Sequence, residues 1–128
     1  MKEHLEALFS GATTPGQKIA KMAIMKTLDT HIASTVLRPD DLAKLGLSWN
    51  VISMAAEGLK NQKISVSGER QERFLVFKKI KVHKKLGEVM FELDMEFFDF
   101  LFTSFTTTLK PENKYKVEGI DFNALNWN

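Results

Sequence analysis

"RPDDLAKLGLSWNVISMAAEGLKNQKISVSG", residues 38–68, is the stretch whose reading decides the fold. Pro39 suits the first position of a helix, where its missing N–H costs nothing, and Asp40 and Asp41 put negative charge at the positive end of the helix dipole. Leu42, Ala43 and Leu45 are expected to point inward. Gly46 is placed to take the left-handed conformation that ends a helix. Leu47 anchors the turn and Ser48 caps a second helix, "WNVISMAAEGLKNQ", which stops near Asn61. Its buried side is expected to carry Val51, Ile52, Met54, Ala55, Ala56 and Leu59, which leaves Trp49, Asn50, Ser53, Glu57 and Lys60 outside. A short helix, a tight Gly-containing turn and a second helix with a polar, small-residue face form the helix-turn-helix pattern. The same residues also fit an ordinary helical hairpin.

Upstream, residues 2–9 place Leu5, Leu8 and Phe9 on one side of a short amphipathic turn or two. Thr14-Pro15 reads as an N-cap followed by proline at the first helical position. From there to about Thr30, Ile19, Met22, Ala23, Ile24, Met25 and Leu28 make a stripe too wide for a surface helix, so this helix is expected at the centre of the core. Its methionines read as packing rather than a ligand box. "IASTVL" is short, β-branched and apolar, and fits a brief strand.

Downstream the pattern changes to strands. A strand is expected at 63–66, a turn at Ser67-Gly68, a long strand over about 72–83, a Lys-Lys-Leu-Gly turn and a third strand over 88–93. In the long strand Val76, Ile80 and Val82 fall on one face, and Lys79, Lys81 and His83 on the other. Residues 78–85 hold five lysines and no acid. Such clustering is what phosphate contact requires, because each neutralised phosphate releases counterions. The plainer account is that these lysines solvate an exposed strand and guard a sheet edge.

Asp94 then caps a helix in which Phe97, Phe98, Leu101, Phe102 and Phe105 recur at helical spacing up to Pro111. Phe98, Leu101, Phe102 and Phe105 form the natural buried stripe, with Phe97 and Phe100 on its flanks. That surplus points to a self-association face, shared with the tail around Phe122 and Trp127. In the tail, Tyr115 and Val117 suggest an edge strand, while Ile120, Phe122, Leu125 and Trp127 would dock or meet a partner. The segment from about 112 to 128 is expected to be either flexible or docked on a partner.

Composition limits the alternatives. A chain of 128 residues, 44% hydrophobic and 27% charged, fits one soluble domain with a real core. It has no cysteine, which excludes disulfides and thiolate metal sites and suits a reducing, cytoplasmic setting. No apolar run approaches the roughly 18 residues needed to span a bilayer, and the N-terminus lacks the character of a secretion signal. The net charge of +2 is too small to argue for nucleic acid by itself. His4, His31 and His83 are scattered, no phosphate-cradling glycine motif is present, and Asp40/Asp41 and Asp94/Glu96 read as helix starts rather than acid–base pairs. The expectation is a protein that is not an enzyme and uses no cofactor, metal or small-molecule substrate.

A buried helix leading into a helix-turn-helix, a hairpin, and then "GEVMFELDMEFFDFLF", a strand running straight into an aromatic helix, is similar to the first winged-helix domain of iteron-binding plasmid replication initiators. The resemblance covers about residues 15–105 and rests on element order. It implies binding to repeated origin sequences and a monomer–dimer switch. Those initiators also carry a second winged-helix domain that provides much of the base recognition, and this sequence stops before one could begin.

The expected fold is therefore a single α+β domain over residues 1–128, a winged helix-turn-helix with a β-hairpin wing and flanking helices. The expected partner is double-stranded DNA, met by Trp49, Asn50, Ser53, Lys60, Lys78, Lys79, Lys81, Lys84 and Lys85. A homodimer is expected through Phe97, Phe100, Phe122 and Trp127. The competing expectation is a protein-interaction module, such as a small mobile-element or phage-encoded protein, that uses the same fold to bind another protein.

Overall fold

The computed structural model describes residues 14–67, 72–107 and 119–121. Its elements in chain order are α1 (Pro15–Thr30), β1 (Ser34–Leu37), α2 (Pro39–Ala43), α3 (Trp49–Gly58), β2 (Lys63–Ser67), β3 (Glu72–Leu75), β4 (Phe77–His83), β5 (Glu88–Leu93), α4 (Met95–Thr107) and β6 (Gly119–Asp121). This is a mixed α+β fold.

The helix starts follow from local chemistry. Thr14 Oγ1 accepts from the Gln17 N–H at 3.2 Å, and the Gln17 side chain accepts from the Thr14 N–H at 3.0 Å, a reciprocal capping box with Pro15 behind it. Ser48 Oγ accepts from the Val51 N–H at 3.3 Å and opens α3. Asp94 opens α4, its Oδ1 accepting from the Glu96 N–H at 3.1 Å. Asp41 Oδ2 accepts from the Arg38 N–H at 3.0 Å and so closes the first turn of α2. The turn after α2 ends on Gly46 at φ +66°, in the left-handed region that glycine enters without strain.

One sheet has the order β1-β5-β4 and is antiparallel throughout. Thr35 and Leu37 stand opposite Phe91 and Val89, and Ile80 and Val82 stand opposite the same two residues from the other side. Its inner face is therefore Thr35, Leu37, Phe77, Ile80, Val82, Val89, Phe91 and Leu93, and that face closes on α1 and α3. From α1 the core receives Ile19, Ala20, Ala23, Ile24 and Leu28, and from α3 Ile52, Ala55, Ala56 and Leu59. A second antiparallel sheet, β3-β2-β6, lies between α3 and β4 in the chain, apart from β6, which returns to pair with β2.

The expected long strand over 72–83 is two strands. Leu75 pairs with Lys63 in one sheet and Phe77 with Leu93 in the other, so the chain changes partners at Val76. Val76 is fully buried there, its N–H donating to the Gln62 carbonyl at 3.1 Å and its carbonyl accepting from the Asp94 N–H at 3.1 Å. The hairpin 63–67/72–75 is thus separate from the hairpin 77–83/88–93.

Other expectations shift at their margins. Ala43 is exposed, because α2 ends there and only Leu42 turns fully inward. Met22 and Met25 are half-buried at the edge of the core. Val51 is 39% exposed and Met54 75% exposed, contrary to the expectation that both are buried. A helix of ten residues packed on α1 and β4 buries one stripe, and Ile52, Ala55, Ala56 and Leu59 fill it. Within the tail the described strand is β6, Gly119–Asp121, which places Ile120, expected to dock or meet a partner, opposite Val66 of β2. Tyr115, Val117, Phe122, Leu125 and Trp127 lie outside the described residues, as does the segment 2–9.

The aromatic helix overturns one assignment. Phe97, expected on an exposed flank as a self-association residue, is fully buried, and its ring centroid lies 5.8 Å from that of Phe74. Phe100 is half-buried against the core, 4.8 Å from the same Phe74 ring. Phe74 on β3 is the partner that covers this flank, and nothing in the local pattern hints at it. Phe98 and Leu101 are buried as expected; the side chains of Phe102 and Phe105 lie outside the described residues.

Candidate nucleic-acid interface

The basic residues gather on the edge strand of the first sheet. Among the described residues, β4 pairs on one side only, with β5. Its register skips a residue between Phe77 and Lys79, so Lys78 is the extra residue of a bulge, and Lys78 and Lys79 are both exposed. Beyond the bulge the alternation is regular. Ile80 is buried, Lys81 exposed, Val82 half-buried and His83 exposed. Lys79 and Lys81 are two residues apart on one face, about 7 Å along the strand. The turn continues the row with Lys84 and Lys85, both exposed, and closes on Gly87 at φ +65°.

These five lysines keep their charge available. Among the described residues, none has a carboxylate within ion-pairing distance. Acids do temper the neighbouring strand, since Glu92 stands opposite Lys79 and Glu88 opposite His83 in the ladder. Glu88 is engaged at 3.6 Å by Arg38, which adds a further cation beside the turn. Pro39 closes the same corner, its ring 3.6 Å from where a Cβ on Gly87 would sit. The start of α2 and the Lys84–Gly87 turn are therefore neighbours.

The carboxyl end of α3 joins the row from the other side. Lys60, Asn61, Phe77, Lys78, Lys79 and Ile80 line a shallow groove of about 240 Å³. Lys60 is exposed and ion-paired with Glu57 at 2.9 Å, which reduces its use as a free cation. The structure thus brings Lys60 together with Lys78 and Lys79, and strings Lys81, Lys84 and Lys85 away from them along β4.

The expected base-reading residues divide. Asn50 is exposed in the first turn of α3. Ser53 is half-buried. Trp49 is half-buried and packs against the core, so its ring is committed there rather than to the exposed face. What the sequence reading missed is that Val51 and Met54 share the outside of α3 with Asn50; an apolar pattern wider than one stripe on so short a helix was the available signal.

A second depression, about 410 Å³, lies between α1 and α2, floored by Met22, Met25 and Leu45 and rimmed by Lys18, Lys21, Lys44, Asp29 and Asp41. Lys26 crosses beside it, donating at 2.8 Å to both the Val36 carbonyl and Asp41 Oδ2. The Lys26 ammonium and the Arg38 N–H hold the Asp41 carboxyl below the usual carboxylate range. Among the described residues, no three His, Cys, Asp or Glu side chains come together as a metal-ligand set. No helix among them is long and apolar enough to cross a membrane.

Comparison with protein-family models, with curated proteins and with solved structures finds no match.

Proposed function

We propose that this chain is a winged helix-turn-helix protein that binds double-stranded DNA. In this reading α2, the 44–48 turn and α3 are the helix-turn-helix, and the hairpin of β4 and β5 is the wing. The observation that carries it is the row of five exposed lysines, Lys78, Lys79, Lys81, Lys84 and Lys85, on one edge strand and its turn, with Lys60 beside it. A further support is the element order, in which β1 between α1 and α2 completes a three-stranded sheet with the hairpin. The hairpin of β2 and β3 is an insertion before the wing.

α3 is the element that enters the major groove, led by Asn50, whose amide can pair with adenine through two hydrogen bonds. The lysines neutralise flanking phosphates. The biological role that goes with this reading is replication initiation of the plasmid type, at repeated sites and with a monomer–dimer switch, and its support is the resemblance in element order alone. Titration of the full chain with random-sequence duplex at several salt concentrations tests the binding reading. The expected result is affinity for duplex that falls steeply with salt. No binding at low salt would overturn it.

A protein-interaction module is the competing reading. What favours it is the methionine-floored depression between α1 and α2, which lies away from the β4 lysines in sequence and whose rim of Lys18, Lys21, Lys26, Lys44, Asp29 and Asp41 suits an apolar segment with flanking charges. A protein of this kind would keep its function when the β4 lysines are neutralised.

A further inference from the structure

The helix α1 turns two faces in opposite directions. Ile19, Ala20, Ala23, Ile24, Thr27 and Leu28 go into the core. The other face carries Lys18, Met22, Met25 and Asp29, all of which line the depression beside α2. These four positions follow one another by steps of four, three and four, the spacing of a coiled-coil seam. Met22 and Met25 are half-buried at its middle, and Lys18 and Asp29 are exposed at its two ends.

We infer that this face is a dimer interface whose occupant is α1 of a second copy of the chain, packed antiparallel. The face is complementary to itself. A twofold axis requires that a contact from one residue to another be matched by its reverse. Turning the seam end for end about the midpoint between Met22 and Met25 sets Lys18 opposite Asp29 and Met22 opposite Met25, each twice. Opposite charges then meet at both ends, with thioethers at the centre. A parallel pair would instead set Lys18 against Lys18 and Asp29 against Asp29. An antiparallel pair slipped by one heptad would set a methionine against a charge.

The surroundings of the seam suit this occupant. Leu45 extends the apolar floor from α2, so the second helix has two elements to lie between. Lys26, on one flank, is taken by Asp41 and the Val36 carbonyl at 2.8 Å each, and so brings no unbalanced charge to the middle of the seam. Lys21 and Lys44 border the depression, where long side chains can reach past a partner into solvent. Methionine is unbranched and adaptable, which favours packing between two side chains of a facing helix. The face shares no residue with the β4 row, so a dimer here neither needs duplex binding nor excludes it. It also lies on a different helix from Phe97, whose burial removes that residue from any interface.

Sedimentation equilibrium of the full chain over a concentration series tests this. The wild type should pass from monomer to dimer. Lys18→Asp puts like charges at both ends of the seam, and so does Asp29→Lys. Each variant alone should need about tenfold higher concentration to dimerise. Mixed in equal amounts, the two variants should associate with each other, because every end then joins an acid to a base again. Loss of fold in either variant cannot produce that recovery. A folded wild type that stays monomeric throughout would overturn this inference. So would a dimer indifferent to both substitutions, which would put the second copy on another face. Mixed variants that associate no better than either alone would overturn it as well.

Discussion

Gly46 and Asp41 show how much single residues contribute around the turn between α2 and α3. Gly46 sits at φ +66°, and a Cβ added there would meet nothing within 4 Å. The cost of Gly46→Ala is therefore backbone strain alone, about 1 kcal/mol in a urea unfolding curve, and Gly46→Asn should cost less because asparagine tolerates the left-handed region. Asp41 accepts from the Lys26 ammonium and the Arg38 N–H, and both contacts lower its pKa in the folded state. A carboxylate with a lowered folded pKa stabilises the fold at pH values above its unfolded value and loses that contribution as pH falls through the folded value. Asp41→Asn should cost about 1 kcal/mol at neutral pH, and the gap from wild type should close below about pH 4. These features were legible in the sequence because they are local. Thr14-Pro15, Arg38-Pro39, Gly46 and Ser48 each act on backbone within a few residues. The Lys26–Asp41 pair was not legible, since it joins residues from two helices that only the fold brings together.

At the scale of elements, sequence pattern loses its hold wherever tertiary partners choose between equally apolar faces. α3 carries more hydrophobic residues than one stripe can bury, and its packing on α1 and β4 selects Ile52, Ala55, Ala56 and Leu59 over Val51 and Met54. The segment 72–83 is uniformly strand-forming, so nothing local marks Val76 as the point where the chain passes from one sheet to the other. The row of lysines on β4 was legible in outline, because alternation alone separates Lys79 and Lys81 from Ile80; the bulge at Lys78 was not. On α4, helical spacing correctly buried Phe98 and Leu101, yet Phe74 arrives from β3 to cover Phe97 and Phe100. Phe97→Ala should therefore destabilise by about 3–5 kcal/mol, a large share of a small domain's stability. Thermal or urea unfolding checks it. Phe97→Glu should give insoluble or unfolded protein rather than a folded monomer, since it would bury an unpaired charge beside Phe74.

At the scale of the whole molecule, the core joins α1, α3, α4 and the inner face of one sheet, and leaves the basic edge of that sheet in solvent. Binding to duplex DNA is the central claim, and counterion release makes it quantitative. If Lys78, Lys79, Lys81, Lys84 and Lys85 each neutralise a phosphate, the logarithm of affinity should fall with the logarithm of salt concentration with a slope of about −4.5. The most direct measurement is that slope for the wild type and for Lys84→Ala/Lys85→Ala, taken by fluorescence anisotropy on one duplex. Both lysines are exposed in the turn, so the double variant should keep its fold. Weaker binding is expected, with a slope shallower by about two units, to roughly −2.7, on every duplex sequence tried. An unchanged slope would take the turn out of the interface and contradict the wing as its phosphate-binding element.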